Sequence, residues 1–115
     1  MTQHLSRIAD LLSQLPRAPS PQWPDGEPFV VAMAHGTMSV EVYAPRGHDP
    51  QTPHDQDELY FIHSGQGEFV LDGVRHPFAP GTVFFVPAQV EHRFENFTPD
   101  FATWVVFWGP QGGEP

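Results

Sequence analysis

The chain has 115 residues, with fourteen acids against five arginines, no lysine and a formal charge of −9. That length fits one domain with its own core, while so acidic a chain with scattered arginines argues against nucleic acid or an anionic membrane as partner. The missing lysine excludes Schiff-base chemistry, and the absence of cysteine removes disulfides, thiolate nucleophiles, iron–sulfur ligation and cysteine-based zinc sites.

Residues 2–15 carry Leu5, Ile8, Leu11, Leu12 and Leu15 near a helical stripe, and Pro16 stops the pattern. A short amphipathic N-terminal helix is expected, marginal alone and in need of a surface to lie on. The stretch has no long apolar h-region and carries Asp10 mid-way, so neither a signal peptide nor a membrane span is expected and the cytoplasm is the default compartment. Residues 16–28, "PRAPSPQWPDGEP", hold five prolines and read as a linker, with Trp23 placed to dock on the main domain.

From Phe29 the texture changes to eight β-type runs: "FVVAMAH", "MSVEVYAP", "ELYFIHSG", "GEFVLDG", "VRHPFAPG", "TVFFVPA", "EHRFENF" and "ATWVVFWG". Their regular spacing predicts an all-β chain, an antiparallel sandwich or small barrel over residues 29–109, followed by a short tail at 110–115. "LDGV" at 71–74 signals a tight hairpin, with Gly73 able to supply a positive φ. Several strands are apolar on both faces, more than the N-terminal helix can cover. A second copy of the chain, in a two-fold homodimer, is the expected cover.

Chemistry concentrates in "PHDQDELYFIHSG", residues 53–65. His54 and Glu58 are four apart and are expected on one face of a strand, with Asp55 and Asp57 turned to solvent. His92, which heads its own strand with Phe94 and Asn96 on the same face, is the best third member. Two imidazoles and a carboxylate suit a divalent cation such as Fe²⁺, Mn²⁺, Ni²⁺ or Zn²⁺. His63 has the opposite parity, His4 and His76 look peripheral, and the parity of His35 is unreadable across Gly36. Tyr60, on the face of Glu58, is a candidate proton donor, and with Phe94 and Trp104 a candidate cavity wall. No Ser-His-Asp order, phosphate loop or dinucleotide fingerprint is present.

These residues resemble the two motifs of the cupin superfamily. Glu58, six intervening residues and Gly65 fit the tail of the first motif, and His54 fits its second histidine. Gly81, Pro87, His92 and Asn96 fit the second motif, with Gln89 where a glycine is usual. The resemblance covers roughly residues 36–108 and implies a cupin-type antiparallel β-barrel or jelly roll behind a short N-terminal helix. It departs at the first histidine, where Thr52 stands, and Gly47 lies one residue closer than the pattern wants. The implied metal ligands are therefore His54, Glu58 and His92, with Gln51 the favoured fourth from a loop that also holds His48 and Asp49. The resemblance implies a metal-dependent enzyme acting on a small organic molecule, first of the non-haem Fe²⁺ dioxygenase type. Isomerase, lyase or decarboxylase chemistry is the alternative, as is a module that binds a small molecule or metal without turning it over. A dimerisation domain of a larger regulator is weakened by the lack of a DNA-binding segment in the sequence.

Overall fold

The eight expected strands form, in a computed structural model that describes residues 3–115. They are β1 (Phe29–His35), β2 (Met38–Tyr43), β3 (Asp57–Ser64), β4 (Gly67–Leu71), β5 (Val74–Phe78), β6 (Val83–Val86), β7 (His92–Glu95) and β8 (Ala102–Trp108). Five of them make one sheet in the order β1-β2-β8-β3-β6, and three make a second in the order β5-β4-β7. Every pairing is antiparallel. The two inner faces enclose a core of Tyr60, Ile62, Phe69, Phe78, Val86, Phe94, Phe101 and Val105. At the β4–β5 hairpin Leu71 pairs with Val74, and Asp72 and Gly73 turn with φ of 49° and 81°. That is the left-handed pair a two-residue hairpin turn demands.

The helix is shorter than its apolar stripe suggests. Only Ile8–Leu12 (α1) is helical; residue 2 of the expected span lies outside the described residues. Arg7 occupies the N-cap position and makes no side-chain cap, so nothing holds a longer helix open at that end. One and a half turns have no stability of their own. The helix is held because Leu11, with Ile8, Leu12 and Leu15 beside it, packs on Val30, Ala32, Val42 and Trp104, on the outer face of β1, β2 and β8. Trp104 is thus outer-face packing rather than a cavity wall.

Strand parity sorts the rest. In β3, Glu58, Tyr60 and Ile62 point inward and are buried, while Phe61 and His63 point outward and are exposed. Beyond the reach of α1 the outer face stays apolar: Phe61 is 40% exposed, Val83 51% and Phe85 50%. Asp57 departs from the expectation that it faces solvent. It is buried, and its carboxylate accepts backbone N–H groups of Ala88 and Glu114, each at 2.9 Å. At the first position of β3 it meets two loop amides with no strand partner, and satisfying them outweighs its own desolvation. Those bonds, from Glu114 first and Ala88 second, lower its pKa. They also fasten the C-terminal tail and the β6–β7 turn beside the site.

The glycine that closes the first motif has a steric reason. Gly65 has φ of +85°, and a Cβ there would lie 2.6 Å from Phe101 Cα. Gly65→Ala should lower stability by about 2 kcal/mol or more, combining the left-handed penalty with backbone displacement. Urea unfolding reads this directly, and an unchanged midpoint would mean the chain does not approach Phe101 so closely.

Candidate metal centre

Two opposed sheets contribute one buried polar side chain each. Glu58 descends from β3 and His92 rises from β7, and their side chains are 1% and 0% exposed. His92 Nδ1 lies 2.8 Å from the Val90 carbonyl oxygen. That oxygen only accepts, so Nδ1 carries the proton and Nε2 presents a lone pair. Nε2 then faces Glu58 Oε1 at 2.9 Å. Neither Glu58 oxygen nor His92 Nε2 has a hydrogen-bond donor. Two buried acceptors in van der Waals contact require a cation, a proton or a metal ion.

The third member comes from a loop. His54 precedes β3 rather than lying on it, so shared strand parity is not what joins it to Glu58. The loop folds back and leaves His54 Nε2 3.9 Å from Glu58 Oε1. One ligand atom from each of His54, Glu58 and His92 lies within 4.8 Å of the others. An ion with bonds of about 2.0–2.2 Å holds neighbouring ligands roughly 3 Å apart, so the Glu58–His92 spacing fits as it stands. These three residues could hold a divalent cation; which one is not written in their positions.

Protonation follows the same geometry. Burial works to lower the His92 pKa, but the Glu58 carboxylate 2.9 Å away, which would accept from a protonated Nε2 and attract its charge, outweighs it and the net shift is upward. For His54 burial dominates; with the neighbouring His92 it lowers the pKa against the pull of Glu58. Burial first, then the charges of Glu58 and Asp49, raise the Tyr60 pKa well above its ordinary value. Tyr60 therefore stays a neutral hydroxyl.

Gln51 and Asp49 form the next layer. Gln51 Nε2 donates to Asp49 Oδ2 at 2.8 Å, which turns Gln51 Oε1 toward the site. That oxygen is 3.1 Å from His54 Nε2 and accepts from the Tyr60 hydroxyl at 3.2 Å. Asp49 is buried and also accepts from the Tyr43 hydroxyl and from Phe94 N–H at 2.8 Å. All its bonds run to the barrel and to Gln51, so it orients a neighbour rather than facing the centre. Gln89 joins the two motifs. Its N–H donates to the His54 carbonyl at 2.7 Å and its side chain to Asp55 at 2.6 Å. Its φ of 70° is the left-handed geometry that favours the usual glycine.

A cavity of about 360 Å³ opens beside these residues, lined among others by Gln51, Thr52, His54 and Tyr60. Trp23 does dock: its ring stands edge-on to Tyr43 with centroids 6.1 Å apart, and it walls the cavity. Glu41, from β2, also lines it and was not singled out by the sequence. Its signal was weak, because Val40 and Val42 on the other face of β2 are as apolar as an inner face. Burial first, and Glu58 second, push the Glu41 pKa up to about 7. Phe94 belongs to the core. His4, His35, His48 and His63 are exposed, and Asn96 lies past the end of β7, donating to Glu68 Oε1.

Glu58→Gln and His92→Ala should each reduce bound metal from near-stoichiometric to background, with the β circular-dichroism spectrum retained. Elemental analysis of untagged protein measures this; metal retained in His92→Ala would move the centre elsewhere.

Comparison with known proteins places this geometry. An uncharacterised protein of Streptomyces coelicolor is 40% identical over 76 residues, covering 64% of this chain and 72% of that one. The HTH-type transcriptional activator RhaS of Mannheimia succiniciproducens is 39% identical over 57 residues, 50% of this chain and 21% of the activator. This chain thus spans about a fifth of that relative's length. The solved structure of the DMSP lyase DddQ from Ruegeria pomeroyi superposes with a TM-score of 0.65 at 25% identity, covering 84% of this chain and 53% of that one. Residues 39–108, which include the strands bearing Glu58 and His92, match the cupin domain model. A double-layered antiparallel barrel with both motif positions turned inward, matched over most of its length by that model, makes this chain a member of the cupin family.

Proposed function

We propose that the chain is a metal-dependent enzyme that moves a proton on a small organic molecule held in the cavity, as an isomerase, lyase or decarboxylase does. The observation that carries this reading is the Glu58–His92 pair, a buried carboxylate and imidazole 2.9 Å apart whose facing atoms have no other partner among the described residues. His54, Glu58 and His92 would hold the cation, with the Gln51 oxygen as a fourth donor in place of the histidine that Thr52 displaces. A divalent cation there would polarise a carbonyl or carboxylate as a Lewis acid. Tyr60, a buried neutral hydroxyl bonded to Gln51 Oε1, is placed to give a proton to the product as it forms. Trp23 and the segment around it wall the cavity on the side away from the strands.

Oxygenation with Fe²⁺ is the second reading. What favours it is the donor set, two histidines and one carboxylate, which non-haem iron oxygenases also use. The two separate in one experiment on untagged protein, with its native metal identified. Small carbonyl and carboxylate compounds are screened by NMR in D₂O for solvent deuterium incorporation while dissolved oxygen is followed. The expected result is deuterium incorporation without oxygen uptake, slowed about 10²-fold or more in Tyr60→Phe. Stoichiometric iron with oxygen consumption would hand the site to oxygenation. Binding without turnover of any compound would leave a binding module.

We also propose that a second copy of the chain covers the apolar strip of Phe61, Val83 and Phe85. The strip runs to β6, the open edge of the five-stranded sheet, where one two-fold contact would cover both the strip and the edge. Light scattering should give twice the chain mass, and Phe85→Glu should return a folded monomer. A monomeric wild type would end this reading.

A further inference from the structure

The cavity has no lysine or arginine side chain, and its one imidazole, His54, stands at the metal-centre end. Its rings include Trp23, Phe29, Tyr43 and Phe107, and its free charges are the carboxylates of Glu27 and Glu41. The chain contains no lysine, and none of its five arginines lines the cavity. Among the described residues neither the Glu27 nor the Glu41 side chain has a hydrogen-bond or ion-pair partner. An anionic substrate would meet two uncompensated carboxylates on the wall and no fork to hold it. A positive head group would meet the faces and edges of aromatic rings with a carboxylate behind them, the arrangement that recognises ammonium groups.

We propose that the molecule bound here is an organic cation of the ammonium type, its charged head held between Trp23, Tyr43, Glu41 and Glu27. This deepens the reading of the cavity as a substrate site and rests on it. Glu41 and Glu27 select the charge, and Gln51, His54 and Tyr60 meet the other end of the molecule. The proline-rich segment contributes two of the four selecting groups, Trp23 and Glu27, so it is part of the binding surface rather than a connection only. The competing account of Glu41 is that it balances the charge of the metal ion and touches no substrate.

Three probes of nearly the same shape separate charge from size: choline, its uncharged isostere 3,3-dimethylbutan-1-ol, and the anion 3,3-dimethylbutanoate. Each is titrated into the full-length protein and followed by calorimetry and tryptophan fluorescence, with metal content measured in the same samples. Choline should bind about tenfold or more tightly than the neutral isostere, with the anion weakest, and Glu41→Gln should remove most of that preference while barely changing the affinity for the neutral probe. Equal affinity for choline and its isostere, preference for the anion, or no binding of choline or of the smaller tetramethylammonium ion would overturn the proposal. An altered metal content in Glu41→Gln with an unchanged choline preference would assign Glu41 to the metal and overturn its role here. Failure of the metal centre reads differently: choline preference in a protein that takes up no metal would retain the cation site and remove the metal.

Discussion

The contact between Glu58 and His92 is the constraint on which the rest of the structure turns. It joins the two sheets through one buried ionisable group from each. Rings surround it: Tyr60 and Phe69 each stand 6.0 Å from the His92 ring. Each buried polar atom without a partner costs about 1–3 kcal/mol, and three such atoms meet here. A barrel that only had to be stable would place leucine at both positions. The cost is tolerable when a cation fills the gap, because the desolvation that penalises the empty pair then strengthens each ligand bond. The core rings keep water from satisfying Glu58 and leave the gap to a proton or a cation.

How much of this was legible follows from where each residue sits. The eight strands could be read because short apolar runs alternate with glycine, proline and aspartate, and antiparallel neighbours need no more than such turns. Glu58 and His92 could be read because both stand at or beside the start of a strand, where spacing along the chain converts into position on a sheet. His54 was found by the same spacing for a different reason, since a loop and not a strand presents it. The helix was overread because an apolar stripe says which face would pack, not how many residues the sheet has room to receive. Asp57 was misplaced because parity ignores loop amides that arrive from distant parts of the chain. Glu41 was missed because β2 buries Val42 beneath α1 on the outer face and turns Glu41 and Tyr43 toward the cavity, so alternation reads inside out.

The long segment before β1 changes meaning once it is placed. Its prolines forbid regular structure, and a chain that cannot pair with a sheet can lie across the mouth of a barrel. Backbone bonds of Arg17 to Glu27, and of Ser20 to Trp23 in both directions, fold it on itself. Gln22 then donates to the Pro50 carbonyl at 3.1 Å, in the loop that leads to Gln51 and His54. The cavity is thus bounded on one side by rigid strands and on the other by two segments without regular structure. Sequence can change in those two segments without disturbing the barrel.

That division also accounts for Gln89. A non-glycine residue in left-handed geometry costs about 1–2 kcal/mol, and glycine would avoid the cost. Glycine would keep the N–H bond to the His54 carbonyl but lose the side-chain bond to Asp55. In a barrel where strands present every ligand, that second bond would matter little. Here His54 hangs from residues 48–56, and five hydrogen bonds among others hold the segment: Asp49 against Phe94 and Tyr43, Gln89 against His54 and Asp55, and the Asp55 carbonyl by Gly112 N–H at 2.6 Å. A side chain on a loop must be positioned by such bonds if it is to reach a cation beside Glu58 and His92. The strained residue at position 89 and the non-strand histidine at position 54 are two parts of one arrangement, in which local strain in the β6–β7 turn offsets freedom in the loop it restrains.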